Sequence, residues 1–158
     1  MDLAQQIQTL INEAPQDGKT PAAVLAIAPT LKQIAERLQH DQYYILQTLD
    51  QSWQLTTLSN RNQPKLEKTV LYAFASLEDA AVNSSADSQL MAIPIFVINL
   101  LFQLLALDNV DSIIFFDELG NLYTGIEIQR LELKNQVQAQ LQQRSLKHRT
   151  DNLPPNIA

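Results

Sequence analysis

The sequence MAIPIFVINLLFQLLALDNVDSIIFFD, from Met91 to Asp117, is the most apolar stretch of the chain and decides its fold. Pro94 can begin a helix because the first helical position needs no backbone N–H. The run from Ile95 to Leu107 is apolar on nearly all sides and is interrupted only by Asn99 and Gln103. A helix without a broad polar face is buried on most sides, and spanning a bilayer needs about 20 apolar residues. We therefore predict a buried central helix.

Two strands are predicted to follow this helix. Asp108 and Asn109 form the helix exit, and the β-branched and aromatic residues from Ser112 to Phe116 are typical of a buried strand. The residues from Asp117 to Asn121 favour a turn. The segment from Leu122 to Ile128 alternates in polarity and is predicted to be the returning strand.

Helices are predicted on the N-terminal side of the chain. Asp2 is a candidate N-cap, followed by an apolar stripe at helical spacing: Leu3, Ile7, Leu10, Ile11 and Ala14. Thr20 and Pro21 begin a second helix that extends to about Gln39. Pro29 lies inside it and is expected to kink or divide it.

Strand patterns precede the central helix. The segments 43–49 and 53–58 are predicted to form a hairpin whose turn is Asp50–Ser52. Residues 59–64 are predicted as a loop, and residues 66–75 as a third strand. Ser76 and Asp79 resemble a capping box before a short helix, residues 83–88 are a polar loop, and residues 90–93 add a few strand positions.

The last predicted helix runs from Arg130 to Arg144 and carries a narrow stripe of Leu133, Val137 and Leu141. Together these patterns predict one α+β domain, residues 1–145, with a flexible C-terminal tail at 146–158. Its sheet is mixed, mostly antiparallel and of about five strands, with a buried central helix and flanking N- and C-terminal helices.

Composition limits the function of the chain. There is no cysteine among its 158 residues, which suits a reducing compartment, and the N-terminus has no secretory signal pattern, so we expect a cytoplasmic protein. Every Lys, Arg and His lies before Thr69 or after Gln129. Nucleic-acid binding needs cations on the phosphate-facing surface, so we expect no nucleic-acid partner.

The acidic middle of the chain has two interpretations. It is either a solvated surface that favours solubility or a docking face for a basic protein partner. The candidate residues for the docking face are Asp108, Asp111, Asp117 and Glu118. The two pairs stand at opposite ends of the predicted strand, roughly 20 Å apart, so one metal ion cannot be held by both.

No motif for catalysis or for a cofactor is found. Ser52, Ser76 and Ser112 are not in nucleophile elbows, and the three glycines form no phosphate-binding loop. We therefore predict no catalytic, metal or cofactor residues, and favour a non-enzymatic role. The alternative is a small-molecule pocket, or an enzyme site, between the central helix and the sheet, with Asn99, Gln103 and Tyr123 as polar contacts.

Three further features are left open by the sequence. Tyr43, Tyr44 and Trp53 are either core residues or a binding face. The basic residues Arg144, Lys147 and Arg149 would support at most a peripheral contact with a membrane surface. The narrow apolar stripe on the last helix is compatible with a homodimer, which the sequence neither requires nor excludes.

Three segments resemble known proteins. VLYAFASLEDA, residues 70–80, and VDSIIFFD, residues 110–117, resemble SseB-type domains, in which a strand leads into a Thr/Ser-Glu-Glu/Asp helix start and a later strand forms the sheet. The glutamine-rich, cysteine-free composition and TGIEIQR, residues 124–130, resemble small uncharacterised cyanobacterial proteins. Both resemblances imply an accessory or interaction role and supply no catalytic residues. We therefore expect an interaction protein with a specific protein partner.

Overall fold

The computed structural model describes residues 1–60, 62–84 and 89–151. It confirms a single-domain α+β fold. Within these residues the helices are α1 (Leu3–Glu13), α2 (Thr20–Ala35), α3 (Leu77–Ser84), α4 (Val97–Ala106) and α5 (Arg130–Asp151). The strands are β1 (Gln42–Thr48), β2 (Thr56–Asn60), β3 (Gln63–Phe74), β4 (Leu90–Phe96), β5 (Ser112–Phe116) and β6 (Ile126–Gln129).

The sheet is mixed and mostly antiparallel, as predicted, with six strands rather than about five. The strand order is β4-β1-β3-β5-β6, and β2 pairs with the first half of β3. Only the β3–β5 pair is parallel among these strands, with Tyr72 opposite Ile114. The parallel pair is connected by α3, β4 and α4, because parallel neighbours need a long crossover.

The two faces of the sheet carry separate hydrophobic clusters. Alternate strand residues point to opposite faces. Tyr43, Leu71 and Phe115 therefore face the main core beneath α1, α2, α4 and α5. Phe74 and Phe116 face the smaller cluster beneath α3.

The predicted central helix is confirmed as the most buried helix of the main core. Five of its side chains are 0% exposed: Val97, Ile98, Leu100, Leu101 and Leu104. Its beginning differs from the prediction: Pro94 lies inside β4, and the helix begins at Val97. β4 is the edge strand of the sheet, where proline is tolerated because its missing N–H can lie on the unpaired side.

The predicted hairpin between segments 43–49 and 53–58 forms only next to its turn, and β2 does not pair with β1. The turn at Asp50–Ser52 forms, with Gln51 in the left-handed region at φ 68°. Gln47 and Trp53 form a bridge across it, and the backbone N–H groups of Thr48 and Gln54 donate to the carbonyls of Ser52 and Leu46 at 2.8 and 2.9 Å. β2 then pairs with β3. β1 pairs with β4 along its length on one side, and on the other side it pairs with β3 at Tyr44. Strand patterns indicate which residues are extended, whereas the partner depends on which apolar faces meet in the core.

Several predicted boundaries also move. β2 and β3 extend into the predicted loop 59–64, α2 ends at Ala35 and continues through Pro29 without division, and α5 continues seven residues beyond Arg144 to Asp151. The side chain of Asp17, rather than that of Thr20, caps α2: it accepts from the backbone N–H groups of Lys19 and Thr20 at 2.8 and 2.7 Å. Residues 85–88 of the predicted polar loop and 152–158 of the predicted tail lie outside the described residues.

Candidate functional site

The loop between β5 and β6, residues 117–125, is anchored at its beginning by a buried polar group. Asp117 is 6% exposed. Its carboxylate accepts hydrogen bonds from the Tyr43 hydroxyl and from the backbone N–H of Gln39. Its backbone carbonyl lies 2.8 Å from Nε2 of His40. Because a carbonyl only accepts, Nε2 of His40 is the donor in this contact.

Tyr43 is the centre of this anchor. It is 0% exposed, and its ring packs edge-on against His40 and Phe115, with centroids 5.6 and 4.9 Å apart. Burial, followed by the hydrogen bond and the negative charge of Asp117, raises the pKa of the Tyr43 hydroxyl well above its usual range. The hydroxyl therefore stays protonated and donates to Asp117 at neutral pH, which makes it a structural donor rather than a base.

Side-chain hydrogen bonds hold the middle of the loop. Asn121 Oδ1 accepts from the backbone N–H groups of Tyr123 and Thr124 at 3.0 and 3.3 Å, and Asn121 Nδ2 donates to Glu118 and to Thr124. These bonds explain why β6 begins at Ile126 rather than at the predicted Leu122: the backbone donors of the intervening residues bond to Asn121 instead of a strand.

Two glycines complete the loop. Gly120 has φ +77°, a conformation that favours glycine, and its backbone N–H donates to the buried carboxylate of Asp79 at 3.1 Å. Gly125 lies so close to β5 that an added Cβ would stand 2.6 Å from Cγ2 of Ile114. The loop is therefore fixed at its beginning, middle and end, and is joined to the first turn of α3.

This fixed loop presents large apolar side chains to solvent. Tyr123 is 98% exposed and Leu119 is 69% exposed, while Leu77 at the start of α3 is 51% exposed. Glu78 and Glu118 are exposed beside them. We call these five residues the loop surface. They come from two segments that the hydrogen bond between Gly120 and Asp79 joins, and exposed apolar groups in patches mark interaction sites.

The structure separates the four residues of the predicted acidic docking face. Glu118 belongs to the loop surface, and Asp117 is buried beneath it. Asp108 and Asp111 lie beyond the opposite end of β5. Asp108 pairs with Arg130 at 2.9 Å, and Asp111 accepts from the backbone N–H of Thr69 at 2.8 Å. These four residues therefore do not form one surface.

The cation-free stretch of the sequence is not free of cations in space. Arg130 pairs with Asp108, and Lys68 pairs with Glu127, which also accepts from the hydroxyl of Ser112 at 2.7 Å. Glu127, Ser112 and Lys68 lie on β6, β5 and β3, so this group links three neighbouring strands. Asp108 and Glu127, two acidic residues of the stretch, therefore form salt bridges with residues outside it.

The three predicted pocket residues do not line one pocket. On α4, Gln103 Nε2 donates to Asn99 Oδ1 at 3.0 Å, yet the two residues line different clefts. Tyr123 lies on the loop surface, 98% exposed. The side chains of α4 that face the sheet are packed in the main core instead of lining a pocket there.

The aromatic residues that the sequence left undecided are placed by the structure. Tyr43 is a core residue. Trp53 is half-buried and packs against the main core, whereas Tyr44 packs against the cluster beneath α3. The three therefore form no common binding face.

Among the buried polar residues, Asp79 and Gln6 make hydrogen bonds that the sequence patterns did not predict. Asp79 was identified only as a capping residue, and the backbone N–H of Asp79 does donate to the Ser76 hydroxyl at 3.1 Å, but its carboxylate binds Gly120. Gln6 is 4% exposed and was not singled out. Its position on the apolar stripe, between Leu3 and Leu10, was the available signal, because a polar residue on a buried face needs specific partners.

Comparisons with known proteins do not assign a function. The chain matches no known protein family and no curated protein sequence. The resemblances to SseB-type domains and to small cyanobacterial proteins stay predictions. Among the described residues, no group of three or more His, Asp and Glu side chains is arranged to hold a metal ion. In the same residues, no helix is both long and apolar enough to cross a bilayer.

Proposed function

We propose that the protein is a non-catalytic interaction or accessory protein that binds another protein through the loop surface. The single observation that carries this proposal is the exposure of Tyr123 and Leu119 on a loop held by side-chain hydrogen bonds. A loop already fixed in one conformation loses little conformational entropy on binding. Tyrosine is also enriched among the residues that dominate binding energies.

The chemistry of the loop surface indicates the kind of partner. Leu77, Leu119 and Tyr123 offer apolar contacts, and Glu78 and Glu118 add negative charge beside them. A complementary partner presents apolar side chains flanked by Lys or Arg. Because exposed charges are screened by salt, the charged part of this binding weakens as ionic strength rises, and the apolar part persists.

A pull-down from lysate of the native organism tests the proposal, using the wild type, Leu119→Ala/Tyr123→Ala and the control Leu25→Ala. Leu25 is 53% exposed on α2, which contributes no residue to the loop surface. We expect a partner that is retained by the wild type and by Leu25→Ala and is lost with the double variant. Both variants keep the wild-type free energy of unfolding within about 0.5 kcal/mol for each surface position, so the loss reports the surface rather than the fold.

Two outcomes would contradict the proposal. A partner that binds the double variant as strongly as the wild type uses another surface. If no partner rises above background at either low or moderate salt, the role as an interaction protein itself is rejected.

The remaining proposals are coarser. A cytoplasmic location is proposed because the chain has no cysteine, which suits a reducing compartment. Homodimer formation and a peripheral membrane contact through Arg144, Lys147 and Arg149 are further outcomes for the same preparation, tested by its mass in solution and by liposome flotation.

A further inference from the structure

We propose that a cleft at the C-terminal end of α4 binds a neutral, polyhydroxylated small molecule of the sugar class. The cleft measures about 310 Å³ and lies between the last turn of α4 and the loop that joins β1 to β2. Its lining includes Gln51, Ser52, Trp53, Leu55, Gln103 and Asn109. We call it the Trp53 cleft. It is distinct from the loop surface and shares no residue with it.

The absence of charge in this lining limits the ligand. The residues that line the Trp53 cleft include no Asp, Glu, Lys, Arg or His. By contrast, a cleft of about 410 Å³ at the start of α5 is lined by charged residues, namely Glu67, Lys68, Asp108, Asp111 and Arg130. A charged ligand placed in the Trp53 cleft would lose hydration without gaining an opposite charge. The cleft therefore suits an uncharged molecule.

The polar groups of the cleft match hydroxyl groups. A carboxamide carries a donor and an acceptor side by side, so the side chains of Gln103 and Asn109 can bond to neighbouring hydroxyls of one ligand. Gln103 Nε2 donates to Asn99 at 3.0 Å, which orients this carboxamide and leaves its Oε1 as an acceptor. Within the described residues, the indole N–H of Trp53 has no acceptor.

The apolar part of the lining matches the remainder of a sugar. Trp53 and Leu55 are half-buried and pack against the main core, so their outer surfaces are held in place. An aromatic side chain combines a large apolar face with a polar edge. A sugar ring likewise combines an apolar C–H face with hydroxyl edges, and the two surfaces are complementary.

The loop that presents Trp53 is held in one conformation. Backbone bonds join Thr48 to Ser52 at 2.8 Å and Gln51 to Thr48 at 3.0 Å, and Gln47 pairs with Trp53. Gln51 has φ 68°, a conformation that is uncommon for residues other than glycine and that recurs at functional sites. The volume lies at the small end of the range for ligand pockets, which suits a monosaccharide or a disaccharide.

Trp53 is the only tryptophan of the chain, so its fluorescence reports this cleft directly. The test is a titration of the full chain with glucose, galactose, maltose and sucrose, with glucose 6-phosphate as the charged comparison. We expect a saturable change in Trp53 emission for at least one neutral sugar, with a Kd of about 0.1–10 mM, as expected for a ligand of this size. Glucose 6-phosphate should bind more weakly than glucose.

Three variants locate the binding. Gln103→Leu removes the carboxamide at similar volume and should weaken sugar binding at least about tenfold, the effect of losing a well-placed polar contact. Gln138→Leu makes the same change at an exposed position of α5 and should bind like the wild type. Tyr123→Ala should also bind normally, which separates this site from the loop surface.

The proposal is overturned by any of three results. The first is the absence of a saturable change with all four sugars up to about 100 mM, ten times the weakest Kd expected. The second is wild-type affinity in a folded Gln103→Leu protein, as judged by its unfolding transition. The third is tighter binding of glucose 6-phosphate than of glucose, which would assign the cleft to anionic ligands.

Discussion

Buried polar side chains connect segments that are distant in the chain. Gln6 Nε2 donates to the backbone carbonyls of Met1 and Asp41, both at 3.0 Å, and its Oε1 accepts from the backbone N–H of Ile98 at 3.0 Å. Ile98 stands in the first turn of α4, where backbone donors lack partners within the helix. One glutamine of α1 therefore supplies a cap for the buried central helix, which has no side-chain cap of its own.

At the residue scale, Tyr43→Phe tests the anchor of the β5–β6 loop. Without the hydroxyl, the buried Asp117 carboxylate lacks one of its hydrogen-bond donors. The free energy of unfolding should therefore fall by about 1–3 kcal/mol at pH 7. The matched control is Tyr44→Phe, whose half-buried ring lies on the opposite face of the sheet. Urea denaturation at pH 7 measures both.

The two variants should also differ in how their stability changes at alkaline pH. The pKa of Tyr43 is raised above its ordinary value of 10.0 in the folded protein, so above pH 10 the unfolded chain releases this proton while the folded protein retains it. The stabilisation that Tyr43 contributes is complete below pH 10. Above that pH the free energy of unfolding falls by about 1.4 kcal/mol per pH unit. Tyr43→Phe should lack this component and Tyr44→Phe should keep it. Equal alkaline slopes in the two variants would contradict the assignment.

At the scale of elements, the β5–β6 loop depends on a close approach to β5. Gly125→Ala places a methyl group against Cγ2 of Ile114, 2.6 Å away, and 3.2 Å from the backbone oxygen of Phe115. We expect a loss of about 1–3 kcal/mol, as for overpacking. If the Ile114 contact is responsible, combining Gly125→Ala with Ile114→Ala should cost at least about 0.5 kcal/mol less than the sum of the single variants. Strict additivity would assign the cost to the backbone instead.

At the scale of the whole molecule, the sheet joins two hydrophobic clusters into one cooperative unit. β1, β3 and β5 each contribute residues to the main core and to the cluster beneath α3. If one cluster is disrupted, β1, β3 and β5 lose packing on one face. The other cluster is then destabilised, because it is built on the same strands. Small domains of this construction unfold in one transition.

This cooperativity gives a whole-molecule prediction. Phe116 is 8% exposed in the cluster beneath α3, and Phe116→Ala should cost about 3–5 kcal/mol. Trp53, which packs against the main core, should report the same shift to lower urea, with an unchanged dependence on denaturant. A Trp53 transition that stays at its wild-type midpoint, while the circular dichroism transition moves, would show two independent units.

The sequence by itself determined those features that depend on neighbouring residues. The apolar run from Ile95 to Leu107 required a buried helix, because nearly every side of it is apolar. The alternation and β-branching around β3 and β5 identified strands, Asp2 identified the start of α1, and Gly120 identified a turn. In each of these the deciding interaction lies within a few residues of the chain.

Only the tertiary structure decided which elements meet. β2 pairs with β3 instead of β1, Pro94 is acceptable in a strand because β4 is an edge, and Asp117 is buried because Tyr43 lies opposite it. The loop surface and the Trp53 cleft likewise combine residues from separate segments. Local patterns specify the polarity of each face but not its partner; the partner is selected when apolar faces exclude water together and each buried polar group finds a hydrogen bond.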